Sequence, residues 1–399
     1  MKNTWRFTDK ELEKVKEVLG SGFSSASSGS MNKQFEEAFA QKVGVDYAIA
    51  LNSGTATLQA ALDAVGVGYG DEVITTPLTV ISNAYVILQQ NAVPVFADID
   101  PNTFNIDPED VARKITPKTK AIMPVSLYGL PCDLEPLMLL AKKHGIYVIN
   151  DAAQAHLAMY KNKPIATHAH ISSYSTESTK HITTGDGGIV VTDNENFAVK
   201  MRKFGALGYA ALTSGDGRVR LNKELFQNPD YKRHDSFGYN YRLPEVAAAL
   251  GLAQTQRIEH FIQLRCDVAK MYDEVIQDCD YLVPQHNPSG YKNTYWSYAV
   301  KYERTDVSWQ DFRRKYVELG GDGIYAAWAL SYEETLFSSG EFKKRCPPIY
   351  SDLSFPRGIC PVAEQIQPKI MQFVNNYSGV DEASSKVEAL RKTIHYFGK

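Results

Sequence analysis

No apolar run in this 399-residue chain approaches the ~20 residues that a membrane-spanning helix needs. The opening stretch MKNTWRFTDKELEKV also lacks the apolar centre of a secretory signal. Cysteine is scarce: Cys132, Cys266, Cys279, Cys346 and Cys360 are scattered, odd in number and never spaced as CxxC. That pattern speaks against a disulfide framework and against a paired-thiolate zinc site. Neither sign of charge prevails. The 43 Lys and Arg against 46 Asp and Glu leave a net charge of -3, mixed along the chain, so nothing calls for a nucleic-acid or membrane partner. The nine histidines form no metal-ligand cluster. His168 and His170, expected on one face of a strand, read as structural. Repeats and low-complexity segments are absent. A cytoplasmic, soluble protein is the expectation these absences leave.

The composition, 44% hydrophobic and 22% charged, is that of an ordinary globular protein. Single cores stop growing at ~250–300 residues, so a large domain over 1–275 and a smaller α+β domain over 276–399 are expected. Over residues 45–150 short apolar runs (YAIAL, EVITT, PVFADI, AIMPVSL, IYVIN) alternate with helical patterns such as TATLQAALDAV and LEPLMLLAKKH. This alternation predicts an α/β fold with a mostly parallel sheet and right-handed crossovers. IVVTD predicts a further strand, 209–235 a long polar excursion, and the stretch from Pro244 to about Ile276 a long helix.

Three segments carry chemistry-bearing residues. IYVINDAAQAH puts Asp151 directly behind an apolar strand, at the sheet edge where ligands bind. Asp151 is there either a helix N-cap or a carboxylate that pairs with a protonated ring nitrogen, with Gln154 in reach of a second polar atom of the same ring. NSGTATL joins a strand to a helix. Ser53, Gly54 and Thr55 make either a simple capped turn or an anion site, since a helix start offers unpaired N–H groups and the positive end of its dipole. STESTKHITTGDGG puts Lys180 on a loop, followed by Gly185, Gly187 and Gly188, which permit sharp turns or close backbone approach. Lys180 is either a solvated cation or an amine that condenses with an aldehyde, for which it must lose its proton. Ser175 offers a hydroxyl to a phosphate. In GYNYRLPEVAAALGLAQ the polar members are Asn240 and Arg242.

Together, FEEAFAQKVGVDYAIALNSGTATLQAAL, ADIDPNTFNID, INDAAQAH, STESTKHITTGDGGIVVTD and GYNYRLPEVAAALGLAQ resemble the DegT/DnrJ/EryC1/StrS family, sugar aminotransferases that use pyridoxal 5'-phosphate. The likeness runs in order from about residue 5 to residue 265. It implies a type I aminotransferase fold, with a large α/β/α domain and a smaller C-terminal α+β domain, and a homodimer with shared active sites. By position, Lys180 would form the internal aldimine, Asp151 would keep the pyridine nitrogen protonated and Gln154 would contact the ring hydroxyl. Gly54, Thr55 and Ser175 would bind the phosphate, with Ala56 beside them in the cofactor-binding set. Asn240 of the second subunit would reach that phosphate across the interface. The amino donor implied is L-glutamate, and the acceptor a nucleotide-linked keto sugar.

The chain departs from the family pattern in places. Val80 stands where an aromatic residue is expected over the pyridine ring, and Leu157 where a glycine is usual. The segments 209–235 and 323–337 also differ, the second where the family often contacts sugar. A sister branch of the family dehydrates its substrate and has histidine in place of the lysine. Here Lys180 holds that position with His181 beside it, so transamination is expected ahead of dehydration. A non-catalytic binding protein of the same fold is the third reading.

Overall fold

The computed structural model describes residues 4–219 and 221–398. Its main sheet has seven strands: β1 (Tyr47–Leu51), β2 (Glu72–Thr75), β3 (Val93–Phe96), β4 (Thr119–Met123), β5 (Tyr147–Asp151), β6 (Ile171–Ser175) and β7 (Gly188–Thr192). They lie in the order β1-β7-β6-β5-β4-β2-β3. Only β7 runs antiparallel to its neighbours β1 and β6; the other pairings are parallel. The reason is the connection. Most strands are followed by a crossover helix, but β6 reaches β7 through a helix-free loop, which suits a reversal of direction. That loop carries Lys180.

Both faces of the sheet are covered, as period-two alternation along its strands requires. Ala48, Ala50, Val148, Ile189 and Val191 pack with Phe35, Phe39, Leu137 and Leu252 on one face. Ile49, Leu51, Ile149 and Val190 pack with Leu58, Leu62, Val86 and Met201 on the other. The expected strand AIMPVSL stops at Met123 because Pro124 has no N–H to donate to the ladder.

The long helix expected from Pro244 is two helices, Glu245–Thr255 and Ile258–Ile276. At the break the Thr255 hydroxyl donates back to the Gly251 carbonyl at 2.7 Å, a bond that bends helices. The second helix serves two cores: Ile258, Phe261 and Ile262 join the large-sheet cluster, whereas Val268, Tyr272 and Ile276 join another. That other core lies on an antiparallel four-stranded sheet, Leu282–Pro284, Tyr298–Tyr302, Ile370–Phe373 and Ile324–Ala326 in spatial order. Tyr332, Phe337, Phe342 and Tyr350 fold back onto Leu78, Leu88 and Phe96 of the large sheet and its helices. Among its described residues the 209–235 excursion is irregular, with one short helix, Lys223–Gln227, and is tied at its base by Ala206 facing Asn240 and Tyr209 facing His234. His168 closes a 3-10 turn and His170 precedes β6, so the two do not share a strand face. Among the described residues, no helix is long and apolar enough to cross a membrane.

Candidate active site

A cavity of about 360 Å³ opens at the carboxyl ends of β5 and β6. Gly54, Thr55, Asp151, Gln154, Ser175 and Lys180 all line it, with Ser53, Asn83, Val80, Trp296 and Trp328. Residues chosen from separate sequence segments therefore meet in one place.

The helix Gly54–Ala64 starts at this cavity, capped by Ser53, whose Oγ accepts the Ala56 N–H at 3.0 Å. The cap leaves the N–H groups of Gly54 and Thr55 for a ligand, at the positive end of the helix. Ala56, expected in the cofactor-binding set, sits one residue further into the helix and does not line the cavity. Its N–H is spent on the cap, and its methyl lies in the core with Leu58 and Ile49. Position 54 needs glycine, because a Cβ there would lie 2.9 Å from Ser175 Cβ. Gly188 lets β7 pass the same spot, where a Cβ would come within 2.7 Å of Gly54 N. Gly185 turns the lysine loop at φ 86.

Asp151 ends β5 and is buried, with one carboxylate oxygen taking the Ala153 N–H at 3.0 Å. Burial raises its pKa, opposed by that N–H and by the Lys180 charge. Gln154 is fixed through Oε1, which accepts the Tyr128 N–H at 2.7 Å; Tyr128 adopts φ 60 to present it. The Gln154 amide Nε2 is thereby left for another partner.

Lys180 is only 9% exposed. Burial is the main force lowering its pKa, with help from Arg265; Asp151 and Glu177 push the other way, and the amine comes to about 8. Its Nζ rests 4.3 Å from the centroid of the Trp296 ring. Trp296 itself is pinned by its indole N–H, which donates to Thr179 O at 3.0 Å, and it stacks on Trp328 at 6.0 Å and 22°. Behind the lysine, His156 and His181 are fully buried with ring centroids 5.2 Å apart. Burial and the nearby cations push His156 down to about 3 and His181 well below its ordinary value. His181 does not line the cavity; its Nε2 meets the Thr294 carbonyl at 2.9 Å.

Asn240 lies apart from these groups, exposed on the return of the excursion. Val80 lines the cavity, 36% exposed. Leu157 takes φ 50, the left-handed conformation for which glycine is the natural residue.

Several lining residues escaped the sequence reading. Asn83 lies in SNAYVILQQ, which reads as an ordinary helix. It is 1% exposed, and neither its amide nitrogen nor its oxygen makes a hydrogen bond of good geometry, although the side chain lies near enough to Asp151 to help hold that carboxyl's pKa down. A lone amide among apolar helix neighbours is the signal that could have found it. Trp296 and Trp328 come from the C-terminal third and carry no local motif.

Pyridoxal 5'-phosphate fits this donor set. The helix start and Ser175 suit its phosphate, Asp151 suits a protonated ring nitrogen, Lys180 suits its aldehyde, and the buried Asn83 Oδ1, which accepts no hydrogen bond, gains a polar neighbour.

A model of the DegT/DnrJ/EryC1/StrS aminotransferase family matches residues 6–325. GDP-perosamine synthase of Escherichia coli O157:H7 is 38% identical over 294 residues, 73% of this chain and 75% of that protein. The spore coat polysaccharide biosynthesis protein SpsC of Bacillus subtilis is 38% identical over 273 residues, 68% of each chain. The X-ray structure of an aminotransferase from Psychrobacter cryohalolentis shares the fold with a TM-score of 0.86 at 31% identity, over 98% of both chains.

Proposed function

The chain belongs to the DegT/DnrJ/EryC1/StrS aminotransferase family of pyridoxal-phosphate-dependent enzymes, and on that premise we propose that it moves an amino group from L-glutamate to a nucleotide-linked keto sugar. The observation that carries this reading is the meeting of the buried Lys180 amine and the buried Asp151 carboxylate on one cavity, beside the free N–H groups of a helix start.

The cofactor, when bound, supplies the electron sink for the carbanion formed at the reacting carbon. In this reading Gly54, Thr55 and Ser175 hold its phosphate, with Asn240 of a second subunit reaching the same group in a cytoplasmic homodimer. Asp151 keeps a proton on the ring nitrogen, and the Gln154 amide holds the ring hydroxyl. Lys180 Nζ, at about 8, exchanges its proton readily near neutral pH and serves as the acid and base at the reacting carbon. Residues 1–275 carry the cofactor, and residues 276–399 add the wall that meets the acceptor. A larger cavity of about 890 Å³ adjoins and shares Thr179, Trp296 and Trp328 with the first. Trp5, Tyr325, Asn375 and Asn376 also line it, and the sugar enters there. A nucleotide-linked acceptor and a role in polysaccharide synthesis are supported by the names of the two relatives.

The burial of His181, with Nε2 already engaged, disfavours the dehydratase reading, in which a histidine acts at the reacting carbon. The test is direct. Protein loaded with pyridoxal 5'-phosphate is mixed with L-glutamate and a panel of nucleotide-linked keto sugars, and amino sugars are sought by mass spectrometry. Product from the native chain and none from Lys180→Ala is expected. Full turnover by Lys180→Ala would overturn the assignment.

A further inference from the structure

Four consecutive carbonyl oxygens around Lys180 are held from far away in the chain. Arg6 Nη1 donates to Ser178 O at 2.8 Å, and its Nη2 donates to Lys180 O at 2.7 Å and to His181 O at 2.9 Å. Thr179 O accepts from Arg265 Nη2 at 3.3 Å and from the Trp296 indole at 3.0 Å. Arg6 is 1% exposed and Arg265 2%.

Burying a cation is costly unless it is paired. Elsewhere the chain obeys that rule: buried Arg202 pairs with buried Glu36. Among the described residues, Arg6 and Arg265 pair with no carboxylate. Their partners are the backbone dipoles of the lysine loop, together with Trp296 O and Asn375 Oδ1 for Arg265. Burial lowers both guanidinium pKa values, to about 10 for Arg6 and about 9 for Arg265, so both stay charged at neutral pH.

Two of the held oxygens bracket Lys180. Thr179 O belongs to the peptide plane that ends at the Lys180 nitrogen, and Lys180 O to the plane that leaves its carbonyl carbon. Peptide planes are rigid. Holding both oxygens therefore fixes φ and ψ at Lys180, and with them the direction of its Cα–Cβ bond. Arg6 is itself anchored, since its carbonyl accepts from Gln254 Nε2 at 2.7 Å and from Arg257 Nη1 at 3.3 Å. We propose that Arg6 and Arg265 are positioning residues for Lys180, locking the peptide planes on either side of it so that its amine points into the cavity. The proposal rests on Lys180 being the reactive amine.

The test uses cofactor-free full-length protein. Acetylation of Lys180 by dilute acetic anhydride at neutral pH is followed by peptide mass spectrometry, with surface lysines as internal standards. In Arg6→Gln and Arg265→Gln the Lys180 rate falls at least about fivefold, because a loosened amine regains the protonation of an ordinary lysine. Arg6→Lys keeps the charge but not the fork that spans separate carbonyls, and falls likewise. Arg304→Gln, which breaks the ion pair with Asp306 without touching Arg6 or the loop carbonyls, keeps the native rate. An unchanged or faster Lys180 rate in folded Arg6→Gln overturns the proposal, as does native behaviour of Arg6→Lys. If Arg265→Gln does not fold, the Arg6 variants decide, with ethylguanidinium expected to restore the Lys180 rate in Arg6→Ala. Labelling needs no cofactor or substrate, so this outcome and that of the transfer assay are independent.

Discussion

On one side of the cavity the groups stand on the large sheet; on the other they come from loops and the edge strand of the small sheet. Asp151 pairs with Ser173 of β6 and faces Val125 on its other flank, Ser175 ends β6, and Gly54 is pressed against Ser175. Ladder hydrogen bonds and close packing fix these atoms on both flanks. The opposite wall consists of Trp296 and Trp328, on irregular chain, and Tyr325, on the edge strand Ile324–Ala326 of the small sheet and 62% exposed. That edge strand pairs on one side only, and the wall can vary without disturbing the large-sheet core. On the proposed reading the contrast is a division of labour: the sheet side fixes the chemistry, and the wall selects the acceptor.

The strongest way to break this comparison is to remove the group at its centre. Lys180→Met should lower transfer by ~10²–10⁴-fold or more, as expected for a lost acid–base group, measured as single-turnover rates. The same change should stabilise the cofactor-free protein. The native amine sits at about 8 against an ordinary 10.5, so at pH 7 its charge costs the folded state on the order of 3 kcal/mol. Between about 8 and 10.5 the unfolded chain holds the extra proton, so wild-type stability rises with pH through that window. The advantage of Lys180→Met in urea titrations should therefore be largest at pH 7 and shrink above pH 8. A variant less stable than wild type at pH 7 would mean that the sheet side is not a strained, function-built region.

Next in size is Gly54→Ala. Its Cβ would sit 2.9 Å from Ser175 Cβ, and overpacking of this kind costs ~1–3 kcal/mol. A lowered melting temperature together with weaker cofactor binding in a fluorescence titration is expected. Loss of stability with cofactor affinity intact would separate the packing of Gly54 from its part in the cradle.

The sheet side was also the more legible in the sequence. Asp151 closes an apolar strand, Ser175 closes an alternating one, and Lys180 precedes a glycine cluster, so local pattern brought them to one sheet edge. A run of helix-start residues does not reveal which N–H the cap engages; Ser53 engages that of Ala56. The single helix drawn from Pro244 to about Ile276 failed because neither glycine nor proline marks its break at Gln256 and Arg257. Arg6 and Arg265 could not be found locally at all, since they reach the lysine loop from 172 and 86 residues away. Asn240 is exposed in the single chain, and its expected role depends on a second subunit. The two tryptophans belong to the wall, where no recurring motif announces a role.

On that wall Trp328→Ala should act through the acceptor. The KM for the keto sugar should rise about tenfold, while the glutamate half-reaction, followed by the cofactor spectrum, should stay within about twofold. An equal fall in both half-reactions would show that the Trp328–Trp296 stack serves Lys180 as much as the sugar, and would merge the two sides.

The smallest effect tests whether the sheet side is as well fitted as it looks. Leu157 holds φ 50, which costs a side-chain-bearing residue ~1–2 kcal/mol. Leu157→Gly relieves that cost but loses the packing of a half-buried leucine and adds ~0.5–1 kcal/mol of chain entropy. These terms nearly cancel, so its stability in urea should change by less than about 1 kcal/mol. Leu157→Ala loses the same packing and keeps the strained backbone, so it should be the more destabilised of the two. Elsewhere glycine is the costlier replacement, so this inverted order is a signature of backbone strain at one position. If alanine proves the milder change, the leucine side chain is holding its loop through contacts, and the left-handed turn is no burden on the side of the cavity that does the chemistry.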